Sequence, residues 1–161
     1  MWPAREFPLR LTFAMITPAP TSKIAPHLAR GLLEHVVVET ATKPAYIVFS
    51  VPDTSYKIHL RPTVPITSDV GKRLVGTVRV KARRLDVVDT GGRYVEPVFG
   101  RPRRVQGTVV STDAAANTVT VNAGVPIACE LTDPRQSADQ FQPGQLVSAD
   151  VLDGATFTPS T

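Results

Sequence analysis

The chain has 161 residues, of which 42% are hydrophobic and 20% charged, a composition that allows a hydrophobic core and argues against general disorder. Its single cysteine, Cys129, excludes an internal disulfide framework. The longest apolar run near the N-terminus, residues 11–16, is too short to span a membrane, and Glu6 and Pro18 make it a poor match to a signal peptide. We therefore expect a cytoplasmic protein with no membrane partner.

The formal net charge of +4 is unevenly distributed along the chain. Residues 72–104 hold ten basic and three acidic residues, a charge of +7, whereas residues 105–161 hold one basic and six acidic residues, a charge of −5. A chain with a basic middle and an acidic end is polarised. This pattern indicates either a polyanionic partner or contacts between oppositely charged protein surfaces.

The N-terminal part, residues 1–35, is predicted to be an irregular extension that ends in a short helix over residues 22–35. The extension is rich in proline, which disfavours long helices. Within the predicted helix, Leu28 and Leu32 recur at helical spacing, and a cap is available at residue 21 or 22. Gly31 weakens this helix because glycine has a low helix propensity.

Residues 36–103 are predicted to form a first β unit. Its clearest strand, residues 55–61, alternates apolar side chains with the outward-facing Lys57, His59 and Arg61. Strands of this kind are buried on one face and solvated on the other.

A longer strand is expected over residues 74–82 of the same unit. Residues 89–92, Asp-Thr-Gly-Gly, are typical of a tight turn. We therefore predict that residues 85–88 and 94–98 pair as a hairpin around this turn.

Residues 104–161 are predicted to form a second, smaller β unit. A hairpin joins residues 104–111 to 118–123, and further strands lie near residues 127–131 and 145–152. Only four strands are clear, so this unit needs an edge strand from elsewhere. The apolar members of the alternating strands are expected in the core: Val78, Val80, Val109, Val119, Val121, Ile127, Leu131 and Val151.

The strand order resembles that of the OB-type barrel, a small five-stranded Greek-key barrel. A faint internal repeat accompanies it, because Gly71 and Gly144 are 73 positions apart, as are Val78 and Val151. Two copies of so loose a pattern leave the duplication open. We predict an all-β fold, with one short N-terminal helix, that is built from small OB-like barrel units, with two units in tandem as one alternative.

The basic segment contains the candidate binding residues. Arg79, Lys81 and Arg83 project from one face of a strand at about 6.6–6.8 Å intervals, close to the phosphate spacing of an extended nucleic-acid strand. Tyr94 is a candidate for base stacking, as is Phe99 unless it belongs to the core. The predicted nucleic-acid-binding residues are Arg79, Lys81, Arg83, Arg101, Arg103, Arg104 and Tyr94. The alternative is that these arginines are solvated or paired with carboxylates.

No pattern predicts a cofactor, a metal site or catalytic residues. His27, His35 and His59 lack metal-ligand spacing, and the glycines at residues 91–92 are better explained by a turn than by a phosphate loop. Cys129 alternates with apolar residues and is expected to be buried and unreactive.

Two functions from different classes remain open. The first is a non-enzymatic binding module for single-stranded nucleic acid or RNA, which the basic strand face would engage. The second is a structural or protein-interaction protein. Such a protein would self-associate as a homo-oligomer through basic–acidic complementarity and edge-strand pairing.

Overall fold

A computed structural model describes residues 25–160, and the fold over this range is almost entirely β. The only helical element there is a single 3-10 turn, Ala138–Gln140. No helix in this range is long and apolar enough to cross a membrane. The strands are β1 (Ala29–Val37), β2 (Tyr46–Ser50), β3 (Lys57–Pro62), β4 (Arg73–Val87), β5 (Tyr94–Glu96), β6 (Phe99–Gly100), β7 (Arg104–Asp113), β8 (Thr118–Asn122), β9 (Pro126–Leu131), β10 (Leu146–Val151) and β11 (Thr156–Pro159).

The hydrogen-bonded pairings of the first half form a closed circuit of five strands. β1, β2 and β3 are an antiparallel meander. β3 then pairs in parallel with the C-terminal strand β11. β11 pairs antiparallel with β4, and β4 returns antiparallel to β1.

The second half repeats this order and these strand directions. β7, β8 and β9 are an antiparallel meander, β9 pairs in parallel with β4, and β10 lies antiparallel between β4 and β7. The 15-residue strand β4 therefore belongs to both circuits. It supplies the edge that the second half lacks, while β11 completes the first half.

The 73-residue spacing in the sequence marks equivalent positions in the two circuits. Gly71 and Gly144 both have positive φ, +91° and +96°, a conformation that favours glycine. Gly71 N–H donates to the Leu33 carbonyl at 2.7 Å, and Gly144 N–H donates to the Val109 carbonyl at 2.9 Å. Each glycine thus turns the chain against the first strand of its own circuit before the fourth strand begins.

The core follows the predicted alternation. All eight side chains expected inside are buried, with exposed fractions between 0 and 7%. Phe49 and Phe157 add aromatic packing between the strands of the first circuit, with ring centroids 5.2 Å apart. β8 differs from simple alternation, because Thr118 and Thr120, which alternation would leave exposed, are buried together with Val119 and Val121.

The predicted N-terminal helix is wrong within the described range, because residues 29–35 belong to strand β1. Residues 22–24 of that prediction lie outside the described residues. β1 pairs with β2 on one side and β4 on the other, and a Cβ at Gly31 would lie 2.5 Å from the Ser50 carbonyl oxygen. Glycine is needed here for this close approach of strands, and the long-range pairings outweigh the local helical spacing.

The predicted hairpin of residues 85–88 with 94–98 is also wrong. The end of β4 pairs with β10, and β5 pairs with β7. The turn signal at residues 89–92 marks a change of direction, but both flanking segments find partners from the second half. The other predicted hairpin, β7 with β8, is confirmed. The division into units at residues 36–103 and 104–161 stays a prediction.

Candidate nucleic-acid interface

Three rings lie side by side on neighbouring strands of the first circuit. Tyr46 of β2 stacks on His59 of β3 with ring centroids 4.7 Å apart. His59 meets Phe99 of β6 edge-on at 5.3 Å. We call these three residues the aromatic row. Such rings can stack bases of a single strand, because every base has a π-face.

Strand alternation and pairing build the aromatic row. Ile58 and Leu60 are buried, so His59 between them faces outward. β6 pairs in parallel with β3 and places Phe99 beside Lys57. The interpretation of Phe99 as a core residue is wrong, because 62% of its surface is exposed.

His59 is held in its neutral form by this arrangement. Burial lowers its pKa, and the positive charge of Arg101 lowers it further. Within the described part of the chain, its Nε2 atom is buried without a hydrogen-bond partner. The imidazole therefore acts as a flat ring in the row at neutral pH.

A cavity of about 510 Å³ lies at the Tyr46 end of the row, within the usual size range of small-ligand sites. Its walls come from the loop between β1 and β2, the outer faces of β2 and β3, and the turn before β11. The cationic side chains at the cavity are Lys43, Arg61 and Arg101, and the one carboxylate among its lining residues is Asp153.

A groove of about 1100 Å³ begins at the Phe99 end of the row. It runs between the segment around β6 and the connection of β10 to β11. We call it the arginine groove, because its basic residues are Arg83, Arg101, Arg103 and Arg104. Arg101 and Asp153 line both the cavity and the groove, so the two are adjacent.

The structure brings together four of the six predicted basic residues and separates the other two from them. Arg79 and Lys81 line neither the cavity nor the groove. They lie beside β9, in register with Ala128 and Glu130, and Arg79 donates to the Thr118 hydroxyl at 3.3 Å. Arg83 is thus separated from Arg79 and Lys81, although all three belong to β4. The reason is that β4 changes neighbours along its length, with a register shift against β10 after Ala82.

Tyr94 lies near the arginine groove but its hydroxyl is engaged. It bonds to the Gln106 side chain at 3.2 Å, and Arg104 Nε donates to it at 3.4 Å. This contact is the main reason why the pKa of Arg104 is raised above its usual value, with Asp150 adding to it. Tyr94 therefore positions Arg104, and the exposed ring next to the groove is Phe99.

Two carboxylates enter the groove from its opposite wall. Arg101 Nη1 lies 3.0 Å from Asp153 Oδ2, and Arg104 Nη1 lies 3.0 Å from Asp150 Oδ1. All four side chains are largely exposed, so these pairs contribute little to stability. Lys43, Arg61, Arg83 and Arg103 form no ion pair with another residue in the range 25–160.

Sequence reasoning assigned no binding role to Lys43, Tyr46, His59 or Arg61. Arg61 and His59 stood out as outward members of β3, but nothing local showed that β2 and β6 flank them. The signal that could have found them is the outward set of β3 combined with the pairing order of the strands.

The remaining chemistry is sparse. No group of three potential metal ligands converges among the residues that the structure describes. Cys129 is fully buried, as expected, and burial raises the pKa of its thiol to about 12, which suppresses its reactivity. Comparisons with protein-family models, curated proteins and solved structures found no match. Function must therefore be inferred from the chain's own residues.

Proposed function

We propose that the chain is a non-enzymatic module that binds single-stranded nucleic acid across the aromatic row and the arginine groove. The observation that carries this proposal is the row of three rings, with cationic side chains at both ends. Single-strand binders combine a positive groove for phosphates with aromatic rings for bases.

The fold supports the same proposal if each circuit is an OB-like unit. Each circuit has five strands, with a three-stranded meander and a return strand. OB-type barrels bind oligonucleotides on the face of their second and third strands and at the loops between strands 1–2 and 4–5. In the first circuit, the cavity lies on β2 and β3, next to residues 42–44 of the first loop and the turn before the fifth strand, β11.

The second circuit provides an internal comparison. On its second and third strands, the positions that alternate with the core residues Val119, Val121, Ile127 and Cys129 carry Thr118, Thr120, Ala128 and Glu130 instead of rings and cations, and the first three of these are buried. The same strand arrangement therefore forms without an aromatic row. This difference favours a binding role for Tyr46, His59 and Phe99 over a role in holding the fold.

The proposed mechanism divides the work between the two surfaces. Bases stack on the aromatic row, which requires them to be unpaired and so disfavours a duplex. Phosphates contact the arginine groove and release counterions, which makes binding salt-dependent. Neither interaction reads base edges, so little sequence specificity is expected.

Fluorescence anisotropy with a labelled oligothymidylate tests this proposal. Phe99→Ala should weaken binding by about 5- to 150-fold, the effect of losing one base stack of about 1–3 kcal/mol. Val38→Ala is the matched control, because Val38 is also largely exposed and lines neither the cavity nor the groove. Absence of binding at low salt, or equal binding by the two variants, would overturn the proposal.

The alternative, self-association of the chain, remains a hypothesis with less structural support. The expected basic–acidic contacts occur within one chain, as Arg101–Asp153 and Arg104–Asp150. The edge that an incomplete second unit would offer to another copy is occupied by β4. Size-exclusion chromatography in the same buffers tests it: a dimer that dissociates on charge reversal of the arginines would favour this alternative.

A further inference from the structure

The cavity at the Tyr46 end of the aromatic row differs from the arginine groove in size and in charge. At about 510 Å³ it is half the volume of the groove, about 1100 Å³. Its walls include apolar side chains, Pro44, Leu60 and Ala155, as well as cations. The cavity is partly open to solvent and combines these apolar walls with polar and charged groups, and its volume suits a small molecule or a single unit of a polymer.

The cations at the cavity are not equivalent. Arg101 is engaged with Asp153 at 3.0 Å. Lys43 and Arg61 form no ion pair with any residue of the range 25–160. An anion entering the cavity would therefore meet its available positive charge at Lys43 and Arg61, which come from the first loop and from β3.

The ring of Tyr46 lies next to this charge. The antiparallel register pairs Val48 with His59 and Ile47 with Leu60. One further step places Tyr46 opposite Arg61, and both residues line the cavity. A flat apolar ring beside two cations matches the two parts of a nucleotide, a base and a phosphate.

We propose that this cavity is a one-nucleotide subsite, in which the base packs against Tyr46 and the phosphate binds Lys43 and Arg61. It rests on the proposed function and deepens it, because the subsite holds one unit of the bound strand while the groove contacts neighbouring phosphates. A free mononucleotide has the same base and phosphate, so it enters the subsite and competes with the strand.

Competition experiments with thymidine monophosphate test the subsite. The mononucleotide should displace the labelled oligothymidylate with an inhibition constant on the order of 1 mM, the affinity expected for one stack and one phosphate. Thymidine alone and inorganic phosphate alone should each compete at least about fivefold less well, because each lacks one of the two contacts.

Two sets of variants separate the subsite from the groove. Arg61→Ala should raise the inhibition constant of the mononucleotide at least about fivefold, whereas the matched control Arg73→Ala, at an exposed residue that does not line the cavity, should not. Arg83→Ala/Arg103→Ala should weaken oligothymidylate binding and leave direct mononucleotide binding, measured by calorimetry, unchanged. Circular dichroism checks that each variant is folded.

The outcomes distinguish the two proposals. If the strand binds and the mononucleotide neither competes nor binds directly, the subsite is wrong and the proposed function stands. If the mononucleotide binds equally well to Arg61→Ala and Arg73→Ala, the phosphate position is wrong and the subsite is overturned. If neither ligand binds to the wild-type chain at low salt, both proposals fail.

Discussion

The salt dependence of oligonucleotide binding gives the sharpest test of which basic residues touch phosphate. Arg83 and Arg103 line the arginine groove and form no ion pair within residues 25–160. If each contacts one phosphate, the double variant Arg83→Ala/Arg103→Ala loses two contacts. Each contact contributes about −0.7 to the slope of log affinity against log salt for a single strand. The variant's slope should therefore be shallower than that of the wild type by about 1.4.

The absolute slope follows from the same count. Four arginines line the groove, which predicts a wild-type slope of about −2.8 if each makes one contact. The slope becomes steeper if the strand also reaches Lys43 and Arg61. The difference between wild type and variant does not depend on this addition, so it is the quantity to measure. Anisotropy titrations at several concentrations between about 50 and 300 mM salt provide it.

Lys72→Ala/Lys81→Ala is the matched control for this measurement. It removes the same number of positive charges from exposed positions that line neither the cavity nor the groove. Its slope should stay at the wild-type value. An equal change of slope in both double variants would show that the slope reports overall charge. A change of slope in the control alone would indicate that the strand face with Arg79 and Lys81 is the binding surface. Either result would refute the assignment of the groove.

Two further predictions concern the fold and the aromatic row. Ile127 is completely buried, so Ile127→Ala should lower the free energy of unfolding by about 2–5 kcal/mol, and a loss below about half a kcal/mol in a urea titration would contradict the assigned core. The pKa of His59 is lowered in the folded chain, so the unfolded state binds more protons, and stability should fall as the pH drops below about 6.5. His59→Phe keeps a flat ring and should lose this part of the pH dependence in urea unfolding measured at neutral and at mildly acidic pH; an unchanged dependence would be inconsistent with the burial of the imidazole.

The core was predictable because its signal is local. In β9, and in β4 from Leu74 to Ala82, apolar residues occupy every second position, and this strand period identifies the buried face. The sequence therefore identified Val78, Val80 and Ile127 without knowledge of the partners of either strand. Burial of one face does not depend on which strand lies next to it.

Strand partners were less predictable because they depend on contacts across the chain. Residues 29–35 carry apolar residues at helical spacing, but Ala29, Gly31 and Leu33 also alternate, and β2 and β4 select the strand. The turn at residues 89–92 had the composition of a hairpin. Its flanking strands nevertheless pair with β10 and β7, which lie far along the sequence.

The candidate site was predictable in part for the same reason. Arg101, Arg103 and Arg104 are close in sequence, so any fold keeps them near one another. The aromatic row consists of Tyr46, His59 and Phe99, which meet only because β3 pairs with both β2 and β6. No local pattern connects these three residues, although the outward position of His59 was apparent from the alternation of β3.

The charge pattern acquires a different meaning once the fold is known. The basic segment and the acidic end of the chain, which looked like opposite poles, form the two walls of one groove. Across the cavity and the groove, six basic residues face Glu96, Asp150 and Asp153, so the net local charge is +3. This is much less than the +7 of residues 72–104 alone. Under the proposed function, a surface with this modest excess is expected to bind phosphates weakly and to release them readily, so the aromatic row would have to supply a large share of the affinity. Removal of a ring should therefore affect binding at all salt concentrations, whereas removal of an arginine should matter most at low salt.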